Sequence, residues 1–226
     1  CVKRFNMTVD ELVQFFRADT SDNIEPFLWS DMEVLVYANE ARDQFVRATG
    51  GISDELTIPI QKGVGVANVP STVLNFRYAY ITRNNAKLTF LNEGELPTTS
   101  YGKTIPYGAV TDVREGRVGF IEIGNQTNVI RFIPTPDEDD VCTLGVYRLP
   151  NTRLVRGGEI DEINAIHHRF LVDYMKSMAY AKHDAETLQN TKSLTYRQLF
   201  DAYCQQCVIE RERHRSHPRF VRYGGL

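Results

Sequence analysis

The sequence predicts an α+β protein, with helices at both ends of the chain and a half-buried sheet between them. Near both ends, apolar residues recur every three or four positions, the period of an amphipathic helix. Between residues 56 and 149 the period falls to two, as in strands. Between Asp161 and Pro218 there is neither glycine nor proline, so nothing interrupts a long helical stretch. The simplest packing is a four-helix bundle formed by the N- and C-terminal helix pairs, with an inserted antiparallel β-sandwich or small barrel. The expected divisions are residues 1–51 for the N-terminal helices, 52–158 for the β domain, 159–215 for the long C-terminal helices and 216–226 for an extended tail.

The first helix opens on a capping box, Thr8-x-x-Glu11, in which each side chain reaches the other residue's backbone N–H. Val9, Leu12, Val13 and Phe16 share its buried face, and the polar run Asp19 to Asn23 ends it. A second capping box, Ser30-x-x-Glu33, follows Trp29, which is placed as a hydrophobic staple. Leu35, Ala38, Ala41 and Phe45 form the next stripe, closed by Gly50-Gly51.

Strands are then expected at 56–61 and 64–69 around Lys62-Gly63, at 73–82, and at 86–91 after an Asn84-Asn85 turn. Gly94 to Gly108 reads as a loop or long hairpin arm. The clearest hairpin pairs 118–123 with 128–133 across Gly124-Asn125. Pro134 to Asp137 is a turn, and Val141 to Leu149 is the last strand. Two helices of roughly 35–40 Å each should follow. The stripe of the first is Ile163, His167, Leu171, Tyr174, Met178 and Ala181; that of the second is Leu188, Leu194, Leu199, Tyr203 and Cys207.

A hydrophobic share of 42% is enough for a core. The net charge of −3 excludes a chain that binds nucleic acid through its overall charge. The charge is uneven, however, and Ile209 to Leu226 carries five arginines against two acids. No apolar run has the length of a membrane span, and no signal peptide is read.

No catalytic, cofactor-binding or metal-ligating residue emerges. Lys62-Gly63-Val64-Gly65 leads into a strand rather than a helix, so it is not a phosphate loop. Neither a G-x-S-x-G elbow nor an H-E-x-x-H pair is present. Cys204-x-x-Cys207 lies deep in a helix with no second pair, and reads as packing in a reduced compartment. His167 reads as a hydrogen-bonded histidine at a helix start, and His183-Asp184 as a cap beside a solvated side chain. Asp137-Glu138-Asp139-Asp140 lacks the spacing and glycine of a calcium loop and reads as a solvated turn. The C-terminal mixture of arginine with Phe220, Val221 and Tyr223 has the composition of interface anchors. Protein contact is the favoured reading of that segment, and contact with nucleic acid the other.

Several stretches in series resemble the head-to-tail adaptor proteins of tailed bacteriophages, most of all those of short-tailed phages. They are Trp29-Ser30-Asp31, Tyr37-x-Asn39-Glu40-Ala41, Phe132-Ile133-Pro134-x-Pro136-Asp137, Leu144-x-Val146-Tyr147-Arg148-Leu149-Pro150, Glu162-x-x-x-x-His167-x-x-Phe170-Leu171 and Ala179-Tyr180-x-x-x-Asp184-Ala185-Glu186. The resemblance covers about residues 8 to 205; Glu93 to Asp112 and the segment after Cys207 match nothing in it. It implies a structural virion protein without enzymatic activity or cofactors, assembled in the host cytoplasm. Such a protein forms a ring, commonly a dodecamer, that joins the portal protein to the tail nozzle or tube protein. It lines the channel through which genomic DNA passes without sequence-specific binding. The resemblance also suggests Arg211, Arg213, Arg215, Arg219, Phe220, Arg222 and Tyr223 as the portal-docking residues. The alternatives are a tail or nozzle completion ring protein and a virion-associated peptidoglycan hydrolase.

Overall fold

The computed structural model describes residues 7–93, 95, 115–182 and 188–215, with residues 125, 126, 214 and 215 described by backbone alone. The chain divides into two compact units. One joins Cys1–Gly51 to Pro150–Leu226, and the other is Ile52–Leu149.

In the first unit, helix α1 (Val9–Thr20) carries the predicted capping box, and Thr8 accepts from the Glu11 N–H. Val9, Leu12, Val13 and Phe16 are all buried. A Schellman pair ends the helix: Ser21 N–H to Ala18 O and Asp22 N–H to Arg17 O, with Ser21 at φ 59°. Helix α2 (Asp31–Ala48) starts on the second capping box. It closes with Gly50 N–H to Arg47 O and Gly51 N–H to Val46 O. Gly50 takes φ +87°, the left-handed turn that favours glycine at this position. Val34, Ala38, Ala41 and Phe45 are buried, whereas Leu35 is only half-buried.

The loop joining these helices is held by a buried cation. Arg17 pairs with Asp22 at 2.6 Å and Asp31 at 2.6 Å, donates to Trp29 O, and lies over the Phe27 ring at 3.7 Å. Asp22 in turn accepts from Leu28 N–H at 2.7 Å. With its hydrogen bonds filled on both sides, this pair avoids the cost of a lone buried charge.

Helix α3 (Ala165–Ala181) packs against α1, α2 and the last helix, α4 (Asn190–Arg215). Asn164 caps α3, so it starts four residues after Asp161 and is shorter than expected. Its burial is broader than one stripe: Leu171, Val172, Tyr174, Met175, Ala179 and Tyr180 are all buried, as befits the helix at the centre. Ala181, assigned to the stripe, is exposed, and His168 rather than His167 is fully buried. The stripe expected on α4 is corrected further. Phe200 and Cys204 are buried, while Leu188, Leu194 and Leu199 are 40%, 62% and 52% exposed. The buried line runs one position later, through Phe200 and Cys204, with the Phe200 ring packed 4.9 Å from Tyr174; Tyr203, in the expected stripe, is half-buried and stacks on Phe170.

The second unit is one curled sheet rather than two stacked ones. Its strands are β1 (Ile52–Ile60), β2 (Val66–Asn68), β3 (Val73–Ile81), β4 (Ala86–Asn92), β6 (Phe120–Gln126), β7 (Val129–Ile133) and β9 (Asp140–Arg148), in the order β1-β9-β3-β4-β6-β7-β2. The short strands β5 (Glu115–Gly116) and β8 (Thr135–Pro136) pair separately. The two edges approach each other, so the sheet is nearly closed, like a small barrel. It is not wholly antiparallel, since β4 and β6 run parallel, as do β5 and β8. Ile58, Ile81, Leu88, Ile121, Phe132 and Leu144 fill the interior. The hairpin of β6 and β7 turns at Thr127-Asn128, with Asn128 at φ 63°, and not at Gly124-Asn125. Gly124 instead takes φ +99° inside β6, where the register with β7 shifts.

Candidate interaction surfaces

The basic end of α4 is held in part by its own unit. Nη1 of Arg211 donates to Thr49 O at 2.5 Å and Gly51 O at 3.5 Å. Those carbonyls lie at and just past the end of α2, where the helix's own N–H groups have run out. Arg213 is exposed on the helix. Arg215 is its last residue, with its side chain outside the described atoms, and Arg219, Phe220, Arg222 and Tyr223 lie outside the described residues. The Gly94 to Gly108 loop and His183-Asp184 also lie outside them, apart from Glu95.

Beside Arg211 is a hollow of about 370 Å³ lined by Phe45, Thr49, Ile166, His167, Cys207 and Glu210. His167 Nδ1 lies 2.9 Å from the Tyr203 hydroxyl and 3.8 Å from Cys207 Sγ. Burial holds His167 below the usual imidazole range, with the neighbouring His168 adding to it. His168 is lowered by burial too; its Nε2 donates to Ile163 O at 3.0 Å, and its Nδ1 has no partner among the described residues. Burial also raises the thiols, Cys204 to about 12. Neutral thiols are poor nucleophiles and poor ligands, which suits packing. Among the described residues no group of three or more His, Cys, Asp or Glu side chains is placed to hold a metal ion. The acidic turn is engaged: Arg83 pairs with Glu138 and, at 3.2 Å, with Asp140, while Asp139 accepts from Lys62 N–H.

Two surfaces of the helical unit were not legible as such in the sequence. Along α4, the most exposed residues from Leu194 to Ile209 are uncharged, and the charge that reaches the surface is one ion pair. The two charged residues in that interval, Arg197 and Asp201, pair at 3.3 Å, and Arg197 covers the Tyr174 ring. Charge returns to the surface at Glu210 and Glu212. The second surface leads into α2: Ile24, Leu28, Met32 and Val36, four residues apart, are 83%, 41%, 72% and 54% exposed. Leu194 to Ile209 on α4, and Met32 and Val36 on α2, belong to helices whose other face is buried, while Ile24 and Leu28 lie in the loop before α2. The signal for the first was the pair of leucines that did not share one stripe with Phe200 and Cys204.

A family model described as SU10 adaptor protein matches residues 7–222. The chain belongs to this family of phage head-to-tail adaptors. No curated protein matches it. The adaptor is therefore a structural component of the phage particle, in agreement with the resemblance read from its helix and strand motifs. The match takes in Glu93 to Asp112 and continues past Cys207 to Arg222. The adaptor pattern thus includes both segments that the sequence resemblance had left out, the basic end among them. Among the described residues no helix of the adaptor is long and apolar enough to cross a membrane.

Proposed function

We propose that this adaptor forms a ring, commonly of twelve copies, between the portal and the tail nozzle or tube. The observation that carries this reading is the family match over nearly the whole chain. The four helices are read as one bundle whose outer faces meet neighbouring copies, and the ring lines the channel for the outgoing genome. The chain's near-balanced charge fits a wall that DNA passes without sticking, since phosphate contacts dominate nucleic-acid affinity. Assembly takes place in the host cytoplasm.

The segment from Arg211 to Leu226 is the portal-docking arm. Arg213, Arg215, Arg219 and Arg222 supply charge, Phe220 and Tyr223 supply anchors, and Arg211 fixes the root of the arm on α2. Arginine and aromatic residues are the side chains that most often dominate interface energies. The test is deletion of residues 216–226. The shortened chain should keep the wild-type circular dichroism spectrum and melting temperature but no longer bind portal rings. Electron micrographs of wild-type chain with portal should show a ring, and light scattering of the free chain should show a monomer. Unchanged portal binding by the shortened chain overturns the role of the arm.

A further inference from the structure

Resting on the ring reading, we infer that the subunit contact joins two different surfaces of this chain: the apolar residues Ile24, Leu28, Met32 and Val36 of one copy and the outer face of α4, whose one ion pair is internally balanced, in the next. A ring built head to tail needs two unlike surfaces on each copy, because every subunit must offer one side to its predecessor and another to its successor. The helical unit carries two such surfaces. They lie on separate elements and expose large apolar side chains that a monomer has no reason to keep in water.

Charge selects the occupant of the α4 face. Its exposed residues include Leu194, Gln198, Leu199, Ala202, Gln205 and Ile209. A nucleic acid would meet a single cation there, Arg197, already paired with Asp201 at 3.3 Å. A membrane would meet too little apolar surface, interleaved with glutamines. A second protein surface that presents several large apolar side chains fits, and this chain carries one in Ile24, Leu28, Met32 and Val36, with Asp31 beside them paired to Arg17 and Arg156. The flanking charges agree with a parallel alignment. From Met32, the exposed side of α2 runs through Val36 to Glu40 and Arg47. From Leu199, the α4 face runs through Ala202 and Ile209 to Glu212. Setting Met32 beside Leu199 brings Arg47 level with Glu212 to within about one helical turn, each lying roughly 20 Å along its helix. Apolar residues then meet apolar residues, and opposite charges meet at the far end.

The test uses two full-length variants, Met32→Glu/Val36→Glu and Leu194→Glu/Leu199→Glu. All four positions are exposed, so both variants should fold with the wild-type circular dichroism spectrum and melting temperature. Each is mixed with portal rings, alone and with the other, and followed by sedimentation and electron microscopy beside the wild-type chain. Cross-linking at high protein concentration provides a portal-free readout. Each variant alone should self-associate about a hundredfold more weakly than wild type, the scale of losing central apolar anchors. The two together should form 1:1 pairs and nothing longer, because each retains the surface that the other has lost. Wild-type rings that persist in both variants overturn this inference and leave the ring reading intact. So does a normal ring in either variant alone, or a mixture that forms no pairs. A wild-type chain that forms no ring with portal and no cross-linked oligomer overturns the ring reading itself, and this inference with it.

Discussion

Replacing Trp29 with alanine should remove the main tie between the N-terminal helices and α3. The indole is 1% exposed. It meets Phe16 edge-on at 5.6 Å and Tyr180 edge-on at 5.8 Å, and its Nε1–H donates to Ala179 O at 3.3 Å. A side chain of this size buries roughly 200 Å², of which alanine keeps a small part. At about 25 cal/mol per Å² the lost burial alone is about 4 kcal/mol. The two ring pairs add to that, and partial collapse of the cavity subtracts from it, so the expected loss is about 3–5 kcal/mol. The hydrogen bond adds little, because Ala179 O also accepts from Lys182 N–H. Trp29 is the only tryptophan, so urea unfolding should be followed by far-ultraviolet circular dichroism rather than fluorescence. Against a typical stability of about 5–15 kcal/mol, the unfolding midpoint should fall by roughly a fifth or more. Trp29→Phe, which keeps most of the apolar volume, should lose less than half as much. A loss under about 1 kcal/mol for Trp29→Ala would refute the burial on which this estimate rests.

Two further outcomes follow from close contacts elsewhere. In the sheet, a Cβ on Gly145 would lie 2.4 Å from Tyr78 Cζ, so Gly145→Ala should cost about 1–3 kcal/mol. In a Tyr78→Ala background the same change should cost nothing, and equal costs in both backgrounds would show that the ring is not the obstacle. In the helical unit, the hydrogen bond from Lys182 and those from Ser30 hold the Glu33 carboxyl down to about 2. Since this is below its unfolded value of about 4.5, the unfolded chain binds the proton first, and the contribution is present above pH 4.5 and lost as pH falls toward 2. Allowing for solvent screening of a partly exposed pair, Glu33→Gln should cost about 1 kcal/mol at pH 6 and almost nothing near pH 2. A constant difference across that range in urea titrations would count against the pairing.

The parts of the fold that were legible in the sequence are those fixed by near neighbours. Both capping boxes are local patterns, and Thr8 and Ser30 make the expected bonds. The Asn84-Asn85 turn is local as well, and Asn85 takes φ 53°. The parallel pairing of β4 with β6 could not be read, because alternation says which face of a strand is buried but not which strand lies beside it. The α4 stripe failed for a different reason. Leucines are expected inside, yet in this helix aromatic and cysteine side chains fill the core while Leu194 and Leu199 face outward. An apolar residue on the wrong side of a helix gives the same periodic signal as one on the right side until a partner fixes the phase. For the same reason the outer surfaces were invisible until the core was known, and the bonds of Arg211, one of the portal-docking residues, to Thr49 O and Gly51 O lie within its own unit.

The bond from Arg211 to Thr49 O and Gly51 O fixes where the protein can be cut. A stop after Arg215 spares it, and the last turn of α2 keeps its external donor. A stop before Arg211 removes that donor and leaves water to solvate two backbone carbonyls where the chain enters the β unit. The final stretch of α4 therefore serves the first fifty residues as well as whatever lies beyond it. Fusion tags and proteolytic trimming at this end are tolerable only downstream of that arginine.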